Sequence, residues 1–208
     1  MKPLRVGVFA SGKGSNLAAL LAAIEKGELH AKIVLVISNN AEAGALDIAR
    51  KHDIPTLHLA QPLFSSIEEF DRALLRALQK HEVEMIALAG YLKKLSSVIV
   101  QQYKHRILNI HPALLPSFGG TGMYGRKVHE AVLNYGCKVT GVTVHVVDEE
   151  YDTGPPILQR CVPVEQDDTP ATLAARVLKV EHKIYAEALQ LFAEKRVEIH
   201  GRKVIIKL

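Results

Sequence analysis

The feature that most constrains this 208-residue chain is the alternation, through its first half, of extended apolar runs with segments of helical period. Leu4–Ala10, Ile33–Ile37, Thr56–Leu59 and Met85–Ala89 are the extended runs, and Ser15–Lys26, Ala43–His52 and Ile67–His81 the helical segments between them. Strict alternation specifies right-handed βαβ crossovers, and so an α/β fold built on an open, mostly parallel, Rossmann-like sheet with helices on both faces. Sheets of this kind bind ligands outside the carboxyl ends of their strands, which directs the search for chemistry to the loops after Ala10, Ile37, Ala89 and Ile110.

The second half changes texture. Val139–Val147 interleaves apolar residues with Thr and His, Ile157–Val164 is a further strand, and Thr169-Pro170 reads as the N-cap and first position of a helix reaching about Lys195. Val197–His200, Gly201-Arg202 and Lys203–Lys207 form a closing hairpin. With 48% hydrophobic and 23% charged residues and no linker or repeat, residues 1–208 are expected to make a single domain. No apolar run is long enough to span a bilayer, and the opening Met1-Lys2-Pro3-Leu4-Arg5-Val6 has no cleavable leader pattern, so a cytoplasmic protein is expected. Cys137 and Cys161 show no CxxC spacing and are expected to be reduced core residues. The net charge of +4 suits an anionic ligand, but the basic residues are scattered and aromatics are only 5%, which argues against a nucleic-acid surface and for small anionic substrates.

Four places carry chemistry. Ala10-Ser11-Gly12-Lys13-Gly14-Ser15-Asn16-Leu17 is a glycine-rich turn entering a helix, where backbone N–H groups can cradle a phosphate. It lacks the third glycine of a dinucleotide fingerprint and any Walker lysine pattern, which favours a monophosphate; the alternative is a tight turn with no ligand. Asn109 and His111, two residues apart at a strand end, project the same way, and Pro112, Pro116, Gly119 and Gly120 keep the following loop out of helix. Asp148-Glu149-Glu150-Tyr151-Asp152 precedes Thr153-Gly154-Pro155; a carboxylate from this turn reaching His111 would raise the imidazole pKa and keep it charged, and spacing leaves Asp148 and Asp152 equal. Glu181 lies on the apolar face Leu173, Val177, Val180, Ile184, Ala188 and Leu191, where a carboxylate must be paired or bind a ligand, unless it sits at the rim with its tip in water. His105, His111, His129 and His145 match no zinc spacing, and no metal is expected.

The runs Ser11-Gly12-Lys13-Gly14-Ser15-Asn16, Leu88-Ala89-Gly90-Tyr91-Leu92, Asn109-Ile110-His111-Pro112-Ala113-Leu114-Leu115-Pro116 and Asp152-Thr153-Gly154-Pro155-Pro156-Ile157-Leu158-Gln159 together resemble the phosphoribosylglycinamide formyltransferases of the folate-dependent formyltransferase superfamily. The resemblance covers nearly the whole chain. It implies the formyltransferase fold, with a nucleotide-binding N-terminal half and a folate-binding C-terminal half, and transfer of formyl from 10-formyltetrahydrofolate, a co-substrate, to the amine of 5-phosphoribosylglycinamide in purine biosynthesis. It assigns Asn109, His111 and Asp152 as catalytic, selecting Asp152 over Asp148, with His111 charged and hydrogen-bonded toward Asp152. It assigns Gly14, Ser15, Asn16 and Glu181 to the ribonucleotide substrate. The pterin pocket falls on Leu92, Lys93, Lys94 and Leu95 with Asp148, Glu149, Glu150, Tyr151 and Asp152, and Asn109 also faces the folate. The partners implied are small molecules, with no nucleic acid or membrane, for a monomer or homodimer.

Two departures stand out: Ile67 where many members carry an arginine near the folate, and Ser117–Glu130, from which no contact residue is carried over. The rivals are a 10-formyltetrahydrofolate hydrolase, expected to carry an added N-terminal domain, a methionyl-tRNA formyltransferase, expected to carry a C-terminal tRNA-binding domain, and a non-catalytic phosphometabolite-binding module.

Overall fold

The computed structural model describes residues 2–207; Met1, where the opening run was read for a leader, and Leu208 lie outside them. The chain divides into two compact units, one ending at Leu108 and the other starting at Asn109.

In the first unit, β1 (Leu4–Phe9), α1 (Ser15–Glu25), β2 (Ala31–Ser38), α2 (Gly44–Lys51), β3 (Thr56–His58), α3 (Ile67–Lys80) and β4 (Met85–Leu88) follow the expected alternation. The strands lie in the order β3-β2-β1-β4, followed by the start of β5 (Ile107–His111). The pairings of β1 with β2, β1 with β4 and β2 with β3 are all parallel. Val6, Val8, Phe9, Leu35, Val36, Ile37, Met85 and Ile86 are all buried, so these strands are covered on both faces. That is why they read as continuous apolar runs and not as alternating ones.

Helix α3 shows the opposite pattern. Phe70, Leu74 and Leu78 make one buried stripe, and the Ser66 hydroxyl caps the start by accepting the Glu69 N–H. A short helix, α4 (Ser97–Gln102), was not legible in the sequence: at six residues it is too brief to show a period, and Ser96 at its cap is its main signal.

In the second unit the order is β5, β6 (Val139–Val146), β7 (Pro156–Pro163), with β7 antiparallel to β6. Helix α5 (Arg126–Asn134), also unforeseen, follows a glycine-rich stretch that masks its start. Helix α6 (Pro170–Ala193) packs on α5, β6 and β7. It begins as expected, with a capping box in which Thr169 and Thr172 each accept the other's backbone N–H, and with Pro at the first turn. The closing hairpin is β8 (Val197–His200) and β9 (Lys203–Ile206).

Both cysteines are free thiols, but neither is a core residue: Cys137 is half-buried and Cys161 exposed. The apolar neighbours of Cys161 misled the expectation, because β7 closes the strand order and much of it faces solvent.

Leu74 is fully buried in the α3 stripe. Leu74→Ala should lower stability by about 2–5 kcal/mol, read as a lower urea midpoint with an unchanged slope.

Candidate active site

Strand β5 ends with Asn109 and His111, and period two places their side chains on one side of it. The loop between β6 and β7 carries Asp152, and β6 adds His145. These four residues converge. Asp152 Oδ2 lies 3.5 Å from His111 Nδ1, and Asp152 Oδ1 lies 3.5 Å from His145 Nε2 and accepts from Asn109 Nδ2 at 3.4 Å. Asp152 Oδ2 also accepts the Gly120 backbone N–H at 2.9 Å. The side chains are withdrawn from water, with exposures of 4% for His111, 2% for His145 and 10% for Asp152.

Local chain geometry explains why these residue types stand here. Asp152 sits in the left-handed region at φ 58°, which Asp tolerates better than most residues. At Gly154, two residues on, an added Cβ would fall 1.7 Å from the Val146 carbonyl oxygen, so only glycine allows the loop to pass so close to β6. The Thr143 hydroxyl donates to the Ala113 carbonyl at 2.7 Å and accepts from the Leu115 N–H at 3.0 Å, which fixes the chain just beyond His111. Arg202, in the hairpin turn, donates to the Thr153 carbonyl at 2.6 Å. A cleft of about 310 Å³ opens here, lined by Leu115, Pro116, Tyr151, Asp152, Thr153 and Arg202 among others.

The hydrogen-bond partners fix the tautomers. His145 Nδ1 is 2.9 Å from the Val146 carbonyl, which can only accept, so Nδ1 carries the proton and Nε2 accepts from Asn109 Nδ2 at 3.1 Å. Asn109 Nδ2 thus donates to both His145 and Asp152, and the longer 3.4 Å contact with Asp152 is the one for which an oxyanion would compete. His111 Nε2 is 2.8 Å from the Phe118 carbonyl and is likewise the protonated nitrogen.

The charge state of His111 differs from the sequence expectation. Burial lowers its pKa from the ordinary 6.5, and the opposing pull of Asp152 and the Phe118 carbonyl does not overcome it. Free of ligand, the imidazole is neutral near pH 7, because a desolvated cation costs more than a carboxylate at 3.5 Å returns. Asp152 shows the converse balance. Burial raises its pKa, but its contacts with His145 and His111 and the hydrogen bond from the Gly120 N–H together hold it below the ordinary value.

Asp148, the rival carboxylate, is a turn-former whose Oδ1 accepts from the Thr153 hydroxyl at 2.6 Å and the Glu150 N–H at 3.3 Å. Glu149 and Glu150 are exposed, as is Tyr151 at 39%. Glu181 is buried, on the α6 face formed by Leu173, Val177, Ile184 and Ala188.

In the first unit, the loop after β1 enters α1 through Gly14, its N-cap, at φ 81°, where a Cβ would lie 2.7 Å from Ala45 Cα. Ser15 is exposed at the helix start and Asn16 buried. Ser11, read in the sequence only as part of the glycine-rich turn, donates its hydroxyl to Asn39 Oδ1 at 2.5 Å and accepts the Leu92 N–H at 2.9 Å. Leu92, Lys93 and Lys94 are exposed and Leu95 buried. Ile67 is 42% exposed at the start of α3.

His145 was weighed in the sequence only as a metal ligand. Its real signal was the alternation of β6, which puts Thr143 and His145 on one face. Phe118 and Gly120 act through backbone atoms and had no side-chain signal. Among the described residues no group of three or more His, Cys, Asp or Glu is arranged to hold a metal ion.

A profile of the family described as formyl transferase matches residues 4–189. The phosphoribosylglycinamide formyltransferase of Bacillus subtilis (strain 168) is 36% identical over 183 residues, covering 88% of this chain and 91% of that protein. The chloroplastic phosphoribosylglycinamide formyltransferase of Vigna unguiculata is 41% identical over 198 residues, and the chain, 93% covered, spans 62% of that longer relative. Among solved structures, glycinamide ribonucleotide transformylase 1 from Symbiobacterium toebii superposes with a TM-score of 0.93 at 40% identity, covering 100% of this chain and 95% of that one.

Burial holds the pKa of His111, and also of His129 and His182, below the ordinary 6.5. The unfolded chain therefore binds protons first on acidification, and the stability present above pH 6.5 is lost as pH falls from there through the folded values. Urea midpoints should fall between pH 7.5 and pH 5.5, and His111→Gln should flatten that dependence.

Proposed function

This chain belongs to the formyl transferase family, and we propose that it transfers formyl from 10-formyltetrahydrofolate to the amine of 5-phosphoribosylglycinamide in purine biosynthesis. The observation that carries the reading is the convergence of Asn109 and His111 on Asp152, at 3.4 and 3.5 Å. This set polarises a carbonyl and moves a proton without a covalent nucleophile.

In the proposed reaction the amine nitrogen attacks the formyl carbon. A new C–N bond forms, the carbonyl electron pair moves onto oxygen, and on collapse the bond from that carbon to N10 of the folate breaks. One proton passes from the amine to N10, so the products are formylated nucleotide and tetrahydrofolate. Asn109 turns the N–H of its longer Asp152 contact to the developing oxyanion. His111, neutral at rest, accepts the amine proton and passes it on, and the Asp152 carboxylate stabilises the imidazolium in between.

The N-terminus of α1, at Gly14, Ser15 and Asn16, suits the ribonucleotide phosphate, since its backbone N–H groups and the positive end of the helix dipole favour an anion. Glu181 is proposed to contact the same substrate. The backbone of Leu92, Lys93, Lys94 and Leu95, with that of the Asp148–Asp152 turn, is proposed to recognise the pterin. We take residues 1–208 as one functional domain, needing only these small molecules and no metal, as a monomer or homodimer in the cytoplasm. No helix among the described residues is long and apolar enough to cross a membrane.

Purified protein given 10-formyltetrahydrofolate should form tetrahydrofolate only when the nucleotide is present. Turnover of folate alone would instead indicate a hydrolase, and nucleotide binding without turnover a binding module. His111→Ala should reduce kcat by about 10²–10⁴, while nucleotide affinity, measured by calorimetry, stays near that of the unaltered protein.

A further inference from the structure

The turn at Phe118–Gly120 lies in the stretch Ser117–Glu130, from which the sequence reading carried over no contact residue, yet it touches both members of the acid–base pair. The Phe118 carbonyl accepts from His111 Nε2 at 2.8 Å, and the Gly120 N–H donates to Asp152 Oδ2 at 2.9 Å. That same Oδ2 is the atom 3.5 Å from His111 Nδ1. We propose that this turn is the positioning element of the reaction: it holds His111 in the Nε2–H tautomer, with Asp152 set against a bare Nδ1, so that Nδ1 is the nitrogen that receives the amine proton.

Acting alone, the carboxylate would select the opposite tautomer. An imidazole beside an aspartate donates from the nitrogen that faces it, which would put the proton on Nδ1 and leave Nε2 bare. The Phe118 carbonyl opposes that choice and holds the shorter contact, 2.8 Å against 3.5 Å. Only the imidazolium satisfies both acceptors at once, so a proton arriving at Nδ1 completes the Asp152 hydrogen bond that the resting state lacks. The other titratable side chains facing His111 are His145, from β6, and His129, from α5; as cations both would oppose its protonation. Asp152 is the group that favours it.

The turn is built for this double contact. Phe118 is left-handed at φ 54°, which directs its carbonyl back toward His111, and its ring meets Tyr135 edge-on at 6.0 Å between centroids. Gly119 separates the two contacting residues. A Cβ there would lie 3.2 Å from Asp152 Cβ and 2.5 Å from Leu115 Cδ2, so an added side chain crowds the carboxylate and its neighbours must give way.

The proposal rests on the formyl-transfer reading, and the experiment separates the two. In the full chain labelled with ¹⁵N-histidine, at a pH where His111 is neutral, NMR should show its Nε2 at the protonated shift and Nδ1 at the bare shift. Gly119→Ala should mix the tautomers, move the acid limb of the kcat–pH profile, and lower kcat by at least about tenfold, against the roughly 10²–10⁴ of losing acid–base catalysis outright. KM for the nucleotide should hold. An Nδ1–H tautomer in the unaltered protein overturns the proposal, whether or not the variant folds. So does a Gly119→Ala protein that loses kcat with tautomer and pH profile unchanged, or one that mixes tautomers with kcat intact. An unaltered protein inactive toward both substrates would remove the functional reading, and the tautomer spectrum would still judge the geometry of the turn.

Discussion

A carboxylate nine-tenths removed from water is the constraint around which the second unit is arranged. Asp152 stays ionised there because a backbone N–H and an amide donate to its two oxygens, with two imidazoles closing them in. Those four groups come from three stretches of chain: the end of β5, the turn after it, and β6. The left-handed backbone of Asp152 and the side-chain-free Gly154 beyond it are the local conditions for aiming one short side chain into that enclosure. The balance is delicate in a useful way. The same burial that would neutralise Asp152 keeps His111 uncharged, so the pair rests as carboxylate and neutral imidazole, ready to take up one proton between them.

Much of this was legible in the residues. Parallel strands covered on both faces must be apolar throughout, so Leu4–Phe9 and Met85–Leu88 declared themselves, and Thr169-Pro170 announced the longest helix. The spacing of Asn109 and His111 foretold their common direction. Other parts were hidden for physical reasons. Helix α4 is too short to display a period, and a glycine-rich stretch masks the start of α5. Asp148 and Asp152 are the same residue type in one turn, and only the path of the backbone decides that one closes the turn while the other enters the site. Phe118 and Gly120 act through main-chain atoms, which every residue possesses. The expected charge on His111 failed because proximity to a carboxylate was foreseen and the extent of desolvation was not.

In the first unit, one hydroxyl has a similar organising effect. Ser11 joins the loop after β1 to Asn39 beyond β2 and to the Leu92 backbone beyond β4. Three loops that share no sequence proximity are thus held in register at the carboxyl ends of their strands, where an α/β sheet places its ligands. A rigid sheet supplies the platform, and a single side chain sets the spacing between segments proposed to meet a phosphate and a pterin.

The contact of Arg202 with the Thr153 carbonyl gives the terminal hairpin a bearing on chemistry far from it in sequence. The hairpin contains no residue of the reacting set, and by composition it would pass for a dispensable ornament. Its guanidinium nevertheless braces the residue next to Asp152, so fraying of β8 and β9 would loosen the loop on which the buried carboxylate depends.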